Sequence, residues 1–238
     1  MCVLSSCQTV DRGNFGPFIR SLNNQPHGYQ VVDDPTGKAP TKRVERFEVR
    51  PGDCASNGDW SDCEKDRERS ELAEERKTVR SGEFWYGWSL YVPEEYVNIF
   101  PTKTAIGQFH QYGGHPLWMF QNGSGGYWLD QQVSGSTEQY FPLISEEDLK
   151  GRWHRLEMHV NWSSDPEKGF LAISVNGEQK VDFRGQTAEN NPIYFKYGIY
   201  RSYLSRYKED RKVNEVPAQT LYFSNVKRGL KREELKPN

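Results

Sequence analysis

The sequence predicts an all-β protein in which two antiparallel sheets pack as a sandwich. About a dozen short segments alternate between apolar and polar residues, as strands with one buried face do. Turn-forming residues separate these segments at near-regular spacing, and helical periodicity is scarce. The chain has 238 residues, enough for one large core. We therefore expect a single domain over residues 1–238 with its core at about 29–229.

The first half of the chain starts with loops around a short strand at 29–32, which we expect at a sheet edge. Residues 42–50 alternate and predict a second strand, which ends at a Pro-Gly-Asp turn. The densely charged stretch 53–80 is typical of a solvated loop. Residues 84–92 carry aromatic side chains on both faces, which predicts a central strand.

The second half continues the strand pattern. Ser145 precedes three acidic residues and predicts the start of a single helical turn. Asn176-Gly177 is a strong hairpin signal. We expect turns over 180–192, a charged loop over 203–216 and a solvated tail after Gly229. Further strands are predicted at 104–111, 116–121, 126–133, 153–162, 169–176, 194–202 and 221–226.

Charge and hydropathy exclude two classes of partner. The formal net charge of -2 gives no basic field for nucleic acid, and no apolar run is long enough to span a membrane. Residues 1–9 are too short and polar for a complete signal peptide. Residues 4–7 (Leu-Ser-Ser-Cys) have the look of a lipoprotein cleavage box without the preceding hydrophobic region.

The cysteines bear on location. Cys54 and Cys63 bracket a short polar loop and predict a local disulfide, with two free thiols as the alternative. A disulfide suits an oxidising compartment. We therefore expect a secreted or periplasmic protein, lipid-anchored if its start is a truncated lipoprotein signal, and we expect a monomer.

The strand at 194–202 carries the strongest functional signal. Alternation puts Tyr194, Lys196, Gly198 and Tyr200 on one face, and Arg201 on the apolar face. A lysine and a phenol then flank a glycine that leaves room for a ligand to approach. We expect this strand on the floor of a groove. The alternative is a half-buried strand with an ordinary surface tyrosine.

Two other segments place polar side chains on one strand face. Gln108 and His110 share a face of the strand at 104–111, although His110 alone also fits a buried core histidine. Arg69 and Glu71 would share a face if residues 69–72 formed a strand.

Together these segments resemble a known group, the polysaccharide lyases with a β-jelly-roll (concanavalin-like) fold. Arg69-Ser70-Glu71-Leu72, Gln108-Phe109-His110 and the strand from Tyr194 to Tyr200 resemble three alginate lyase motifs, in the same order. The surrounding sequence looks more like the heparin-lyase-I-like and glucuronan lyase branches. The resemblance covers roughly residues 43–229. Tyr197 replaces the usual alanine and Arg201-Ser202 replaces an Asn/Gln-rich ending, which bears on the substrate.

The resemblance implies β-elimination at a uronic acid. Removing the C5 proton builds negative charge on the neighbouring carboxylate, so donors must stabilise it. By resemblance, Arg69 and Gln108 are these donors. His110 suits a base near neutral pH, and Tyr200 suits the acid that protonates the leaving oxygen. In a syn elimination Tyr200 would serve as both.

The remaining site residues are expected to hold the substrate. Lys196 would favour a phenolate and bind an acidic sugar, together with Tyr194 and Arg201. Glu71 is interpreted as the partner that orients Arg69. The scheme needs no metal or other cofactor, and no sequence pattern supports a structural calcium site.

The expected partner is an acidic polysaccharide of the glucuronan, alginate or glycosaminoglycan type. An open groove would admit a long chain, so we expect internal cleavage. A glycoside hydrolase on the same fold is one alternative, but it needs two nearby carboxylates, often on one strand. A strand of the Glu-x-Asp-x-x-Glu type is missing from the sequence, and Glu157 has no carboxylate near it on the same face. A non-catalytic carbohydrate-binding module is another, since 13% of the residues are aromatic.

Overall fold

The computed structural model of the protein describes residues 10–75 and 78–237. The segment at 4–7 that resembles a lipoprotein cleavage box lies outside these residues. Two short α-helices occur, α1 (Glu146–Leu149) and α2 (Leu204–Arg211), with a 3-10 helix at Arg232–Leu235. The strands are β1 (Phe18–Arg20), β2 (Tyr29–Asp33), β3 (Arg43–Val49), β4 (Arg67–Glu74), β5 (Gly82–Tyr91), β6 (Lys103–Gln111), β7 (Pro116–Gly123), β8 (Gly126–Gln131), β9 (Gln139–Ser145), β10 (Trp153–Trp162), β11 (Phe170–Val175), β12 (Glu178–Arg184), β13 (Ile193–Ser202) and β14 (Gln219–Gly229).

The strands form two seven-stranded antiparallel sheets. The first sheet has the order β1-β4-β13-β6-β7-β8-β9, and the second has the order β12-β11-β10-β5-β14-β3-β2. Strands distant in sequence are thus neighbours in space, as in a jelly roll. One large apolar cluster fills the space between the sheets. The predicted open two-sheet jelly-roll sandwich is confirmed.

Strand alternation places the core as the sequence predicts. In β10, Leu156, Met158, Val160 and Trp162 are buried, and the intervening residues are more exposed. β5 is the middle strand of the second sheet, and β2 is an edge strand. The Ser145 side chain accepts a hydrogen bond from the Asp148 amide and caps α1.

Four segments differ from the expectation. The charged stretch contains β4, whose residues are mostly buried because oppositely charged side chains pair there. The expected loop at 203–216 contains α2, and the expected turns at 180–192 begin with β12. The tail folds back as a 3-10 helix, and its Leu235 is 1% exposed. β1 and β9 are additional strands at the two edges of the first sheet.

The segment before β1 belongs to the core as well, which therefore begins earlier than residue 29. Phe15 is part of the central apolar cluster. Glu45 on β3 is fully buried and accepts hydrogen bonds from Tyr29, at 2.9 Å, and from Tyr197, at 2.8 Å. Arg12 forms an ion pair with the same carboxylate. A buried carboxylate is stable only with such partners.

The described helices include none with the length and apolar character needed to cross a membrane.

Candidate active site

A cavity of about 620 Å³ lies over β4, β13 and β6, on the face of the first sheet that points away from the core. Strand register explains why side chains from three distant segments meet there. Tyr200 pairs with Arg69 on β4, whereas Lys196 pairs with Gln108 on β6. Six of the eight predicted site residues line this cavity: Arg69, Gln108, His110, Tyr194, Lys196 and Tyr200.

Glu71 lies beneath the cavity floor and connects three of these residues. Its side chain is 1% exposed. It accepts hydrogen bonds from Gln108 Nε2 at 2.6 Å and Arg69 Nη1 at 3.3 Å, and it pairs with Lys196 Nζ at 2.7 Å. Because a carboxylate only accepts, it fixes the Gln108 amide with its nitrogen towards Glu71. Glu71 therefore orients the floor and does not face the cavity.

Arg69 is held by a second carboxylate. Its Nε and Nη2 donate to the two Asp62 oxygens at 2.5 and 2.6 Å, a bidentate contact. Burial opposes the charge on Arg69, but the hydrogen bonds and charges of Asp62 and Glu71 outweigh it and raise the pKa of Arg69. Burial lowers the pKa of Lys196, and the Glu71 charge opposes that shift. Two cations and two carboxylates therefore balance within the floor.

The loop that carries Asp62 is closed by a disulfide. Cys54 and Cys63 are joined, as the spacing predicts. Within this loop the indole of Trp60 donates a hydrogen bond to Asp62 at 2.8 Å, and Trp60 and Asn57 line the cavity. The disulfide loop therefore forms a wall of the cavity and supplies the anion that holds Arg69.

His110 is arranged as a hydrogen-bond acceptor towards the cavity. Its Nδ1 lies 2.8 Å from the backbone oxygen of Gln111. A carbonyl oxygen only accepts, so in the neutral ring Nδ1 carries the proton and Nε2 keeps its lone pair. Burial, reinforced by the charge of Lys196, lowers the pKa of His110 to about 4. The imidazole is therefore neutral at neutral pH.

Tyr200 lies among three cations. The ring centre is 4.5 Å from Arg69 Cζ, 5.8 Å from Arg67 Cζ and 5.9 Å from Lys196 Nζ. Burial nevertheless raises the pKa of Tyr200 to about 12, although Arg69 and Arg67 oppose the shift. The phenol therefore keeps its proton at neutral pH. Burial likewise raises the pKa of Tyr194, whose ring lies 5.3 Å from that of His110, to about 12.

Two expectations about β13 need correction. Arg201 is expected to bind substrate, but it is fully buried on the opposite face, where Nε donates to Glu68 at 2.7 Å. Gly198 is expected to leave the groove open for a ligand. It has φ +126 at a bulge, where a Cβ would lie 2.3 Å from the Ser70 oxygen and 2.7 Å from the Phe47 ring. The glycine is therefore required by close packing of the backbone.

A second cavity, of about 260 Å³, continues beyond Tyr200. Arg67, Pro116 and Tyr200 line both cavities, and Lys103 and Tyr203 line the second. Sequence reasoning did not single out Asp62, Trp60, Arg67 or Tyr203, because the first three lie in a stretch interpreted as a solvated loop and Tyr203 begins a stretch interpreted as a charged loop. The Cys54–Cys63 spacing is the one signal that pointed to the loop.

Among the residues that the structure describes, no group of three or more His, Cys, Asp or Glu side chains is placed to hold a metal ion.

A family model described as polysaccharide lyase matches residues 10–227. No curated protein matches the sequence significantly.

The structure is similar to several solved structures. An endo-β-1,4-glucuronan lyase from the fungus Trichoderma reesei shares 16% sequence identity at a TM-score of 0.65, covering 92% of this chain and 93% of that chain. An alginate lyase of polysaccharide lyase family 7 shares 14% identity at a TM-score of 0.58, covering 87% and 83%. A GH131 β-glucanase catalytic domain from Podospora anserina shares 14% identity at a TM-score of 0.59, covering 93% and 89%. At these identities the similarity establishes the shared fold.

Proposed function

This chain belongs to the polysaccharide lyase family, and from that premise we propose that it cleaves a uronic-acid polymer by β-elimination, leaving 4,5-unsaturated uronate ends. The proposal rests on one observation: the neutral imidazole of His110 and the protonated phenol of Tyr200 line the same cavity. The floor of that cavity holds two cations, Arg69 and Lys196. Two of the similar structures are lyases of glucuronan and alginate, which are polymers of uronic acids.

The first requirement of the reaction is to stabilise the uronate carboxylate as the C5 proton leaves. We assign this role to the Gln108 amide, together with the Arg69 guanidinium and the Lys196 ammonium, which line the cavity while Asp62 and Glu71 balance their charges. Gln108 donates one amide hydrogen to Glu71 and has a second hydrogen for a substrate oxygen. Arg69 has few hydrogens left for the substrate, because Asp62 and Glu71 already accept most of them. Such fixed donors in a buried site stabilise developing charge strongly.

The second requirement is a base and an acid. His110 Nε2 takes the C5 proton, and the electrons form the C4–C5 double bond as the C4–oxygen bond breaks. Tyr200 gives its proton to the departing oxygen and recovers one from solvent or from His110. With the pKa of His110 lowered to about 4 and that of Tyr200 raised to about 12, the imidazole is neutral and the phenol keeps its proton at neutral pH, and these are the protonation states that the two roles require. Tyr194 beside the imidazole is assigned to sugar binding.

The surroundings support three further parts of the proposal. Cavities on both sides of Tyr200 would accommodate sugars on both sides of the cleaved bond, so we propose internal cleavage. The Cys54–Cys63 disulfide favours an extracytoplasmic protein. One chain supplies every side chain in the scheme, so we propose that a monomer with a single catalytic domain acts without a cofactor.

The test is to follow ultraviolet absorbance while glucuronan, alginate, heparin-type chains and pectate are supplied separately. Elimination creates a conjugated unsaturated uronate that absorbs, so absorbance should rise with at least one polymer. With internal cleavage, viscosity should fall well before the absorbance reaches its plateau. Enzyme dialysed against a chelator should keep its full rate.

Two outcomes would overturn the proposal. New reducing ends without a rise in absorbance would indicate a hydrolase. The structure argues against that outcome, because Glu74 is the one carboxylate among the described residues that line the main cavity, and it pairs with Arg228 at 2.8 Å. Hydrolases of this kind need two carboxyl groups at the bond. Binding without new ends would indicate a carbohydrate-binding module.

A further inference from the structure

Arg67 stands out among the charged residues of the groove. It lies two residues before Arg69 on the same face of β4. Its guanidinium contacts three aromatic rings, with Cζ 4.8 Å from the ring centre of Trp60 and 5.8 Å from those of Tyr200 and Tyr203. Its Nε is buried and has no hydrogen-bond partner in the described part of the chain.

The other cations of the main floor are neutralised. Asp62 binds Arg69 through two hydrogen bonds, and Glu71 binds Lys196. The structure describes no ion pair or side-chain hydrogen bond for Arg67. Arg67 therefore adds a positive charge that no described carboxylate balances. A partly buried guanidinium without an anion is costly, unless an anion from outside binds there.

The position of Arg67 indicates which anion that would be. Arg67 and Tyr200 line both the main cavity and the second cavity. A polysaccharide that places its reacting uronate between His110 and Tyr200 must pass Arg67 as it enters the second cavity. Arg67 and Arg69 are two positions apart on the strand, a distance of roughly 7 Å, which is comparable to one sugar unit.

We propose that Arg67, held between Trp60, Tyr200 and Tyr203, binds the carboxylate of the sugar next to the reacting uronate. The rings fix the plane of the guanidinium, and a fixed guanidinium binds a carboxylate through two parallel hydrogen bonds. The site therefore selects polymers in which uronates are consecutive over polymers in which uronates alternate with uncharged sugars. This inference rests on the proposed function and names its substrate class.

The test compares Arg67→Gln with the unaltered protein on two substrates. One is a homopolymer of uronic acid, and the other is the same polymer with most carboxyl groups reduced to alcohols, so that isolated uronates have neutral neighbours. On the homopolymer the variant should raise KM about tenfold or more, with kcat nearly unchanged, because a hydrogen-bonded charge pair is lost. On the reduced polymer both proteins should have similar KM values.

Arg184→Gln is the matched control. Arg184 is exposed on β12, outside both cavities, and its Cζ lies 5.1 Å from the ring centre of Phe170. The control removes the same charge and the same kind of ring contact, and both KM values should stay unchanged. An equal effect of Arg67→Gln on both polymers, or no effect, would overturn the proposal. A loss confined to kcat would also overturn it, since it would place Arg67 in the reaction itself.

Two further measurements separate the possible failures. If Arg67→Gln does not fold, Arg67→Lys keeps the charge but lacks the planar fork, and its KM on the homopolymer should still rise. If the unaltered protein forms no unsaturated product on any polymer, the proposed reaction is wrong. Calorimetric binding of a saturated uronate oligomer then tests Arg67 alone, and affinity should still fall about tenfold or more in Arg67→Gln. Equal affinities would refute the Arg67 subsite.

Discussion

Glu71→Gln is the substitution that tests the architecture of the site most directly. It keeps the shape of the side chain and one acceptor oxygen, but it removes the negative charge that lies 2.7 Å from Lys196 Nζ and 3.3 Å from Arg69 Nη1. Asp62 still neutralises Arg69. Lys196 is left as a buried ammonium with no anion among its described partners.

The size of the effect follows from the burial of the pair. Breaking a buried ion pair by removing one partner costs about 3–5 kcal/mol of unfolding free energy. For a protein of this length, that loss lowers the melting temperature by roughly 6–20 °C. We expect the loss to depend on pH, because Lys196 can escape the penalty by giving up its proton.

The direction of this dependence follows from the pKa of Lys196. Burial already lowers it from the ordinary value of about 10.4, and removing the Glu71 anion lowers it further. Between the folded and unfolded pKa values, the unfolded chain binds the proton that the folded chain lacks, so stability rises with pH. The loss of unfolding free energy in Glu71→Gln is therefore largest below the pKa of Lys196 in the folded state, and it becomes smaller as the pH rises towards about 10.

Urea unfolding at several pH values measures this deficit. Glu157→Gln is the control, because Glu157, like Glu71, pairs with two cations, but it lies nearer the surface. Its partners are Arg232 at 2.8 Å and Arg155 at 3.6 Å. Its loss should be below about 1 kcal/mol. If Glu71→Gln loses no more than Glu157→Gln, and its deficit does not change with pH, the assignment of Glu71 as the counter-ion of Lys196 is wrong.

Three other outcomes are expected. Tyr200→Phe and His110→Ala should each lower kcat by about 10²–10⁴, measured by the appearance of unsaturated uronate; full activity in both would remove the proposed acid and base. The value of kcat/KM should fall about tenfold per pH unit below pH 4 and stay level from about pH 5 to about pH 11, because His110 acts as a neutral base with its pKa lowered to about 4 and Tyr200 acts as a protonated acid with its pKa raised to about 12; a fall in kcat/KM that begins near pH 6.5 on the acid side would contradict the burial argument. Cys54→Ser/Cys63→Ser should lose roughly 2–3 kcal/mol of stability and part of the activity, because the closed loop holds Asp62 against Arg69; unchanged melting and kinetics would mean that the loop keeps its shape without the disulfide.

The sequence predicted the strand faces well, because a period of two fixes which side chains share a face. The pairs Gln108/His110 and Lys196/Tyr200 lie on the predicted face, and all four line one cavity. The single-turn helix after Ser145 was also predictable, since its cap and acidic first turn are local signals.

The rest depended on partners far away in the chain. β4 was not predicted as a strand, because its many charged residues are typical of a solvent-exposed loop. In the structure these residues are buried, since Glu68 pairs with Arg201 and Arg69 pairs with Asp62. β9 was missed because it contains Pro142, which an edge strand tolerates. The role of Gly198 was misassigned because a positive φ at a bulge leaves no periodic signal.

The buried Glu45 also has a consequence for how the chain folds. Its partners are Arg12, 33 residues earlier, Tyr29, 16 residues earlier, and Tyr197, 152 residues later. During synthesis Arg12 and Tyr29 leave the ribosome before Glu45, so they can satisfy part of the carboxylate early, as a buried carboxylate requires. The hydrogen bond from Tyr197 can form only after β13 has been made. Completing the shared core therefore depends on a non-local contact, and contacts of this kind make folding slow.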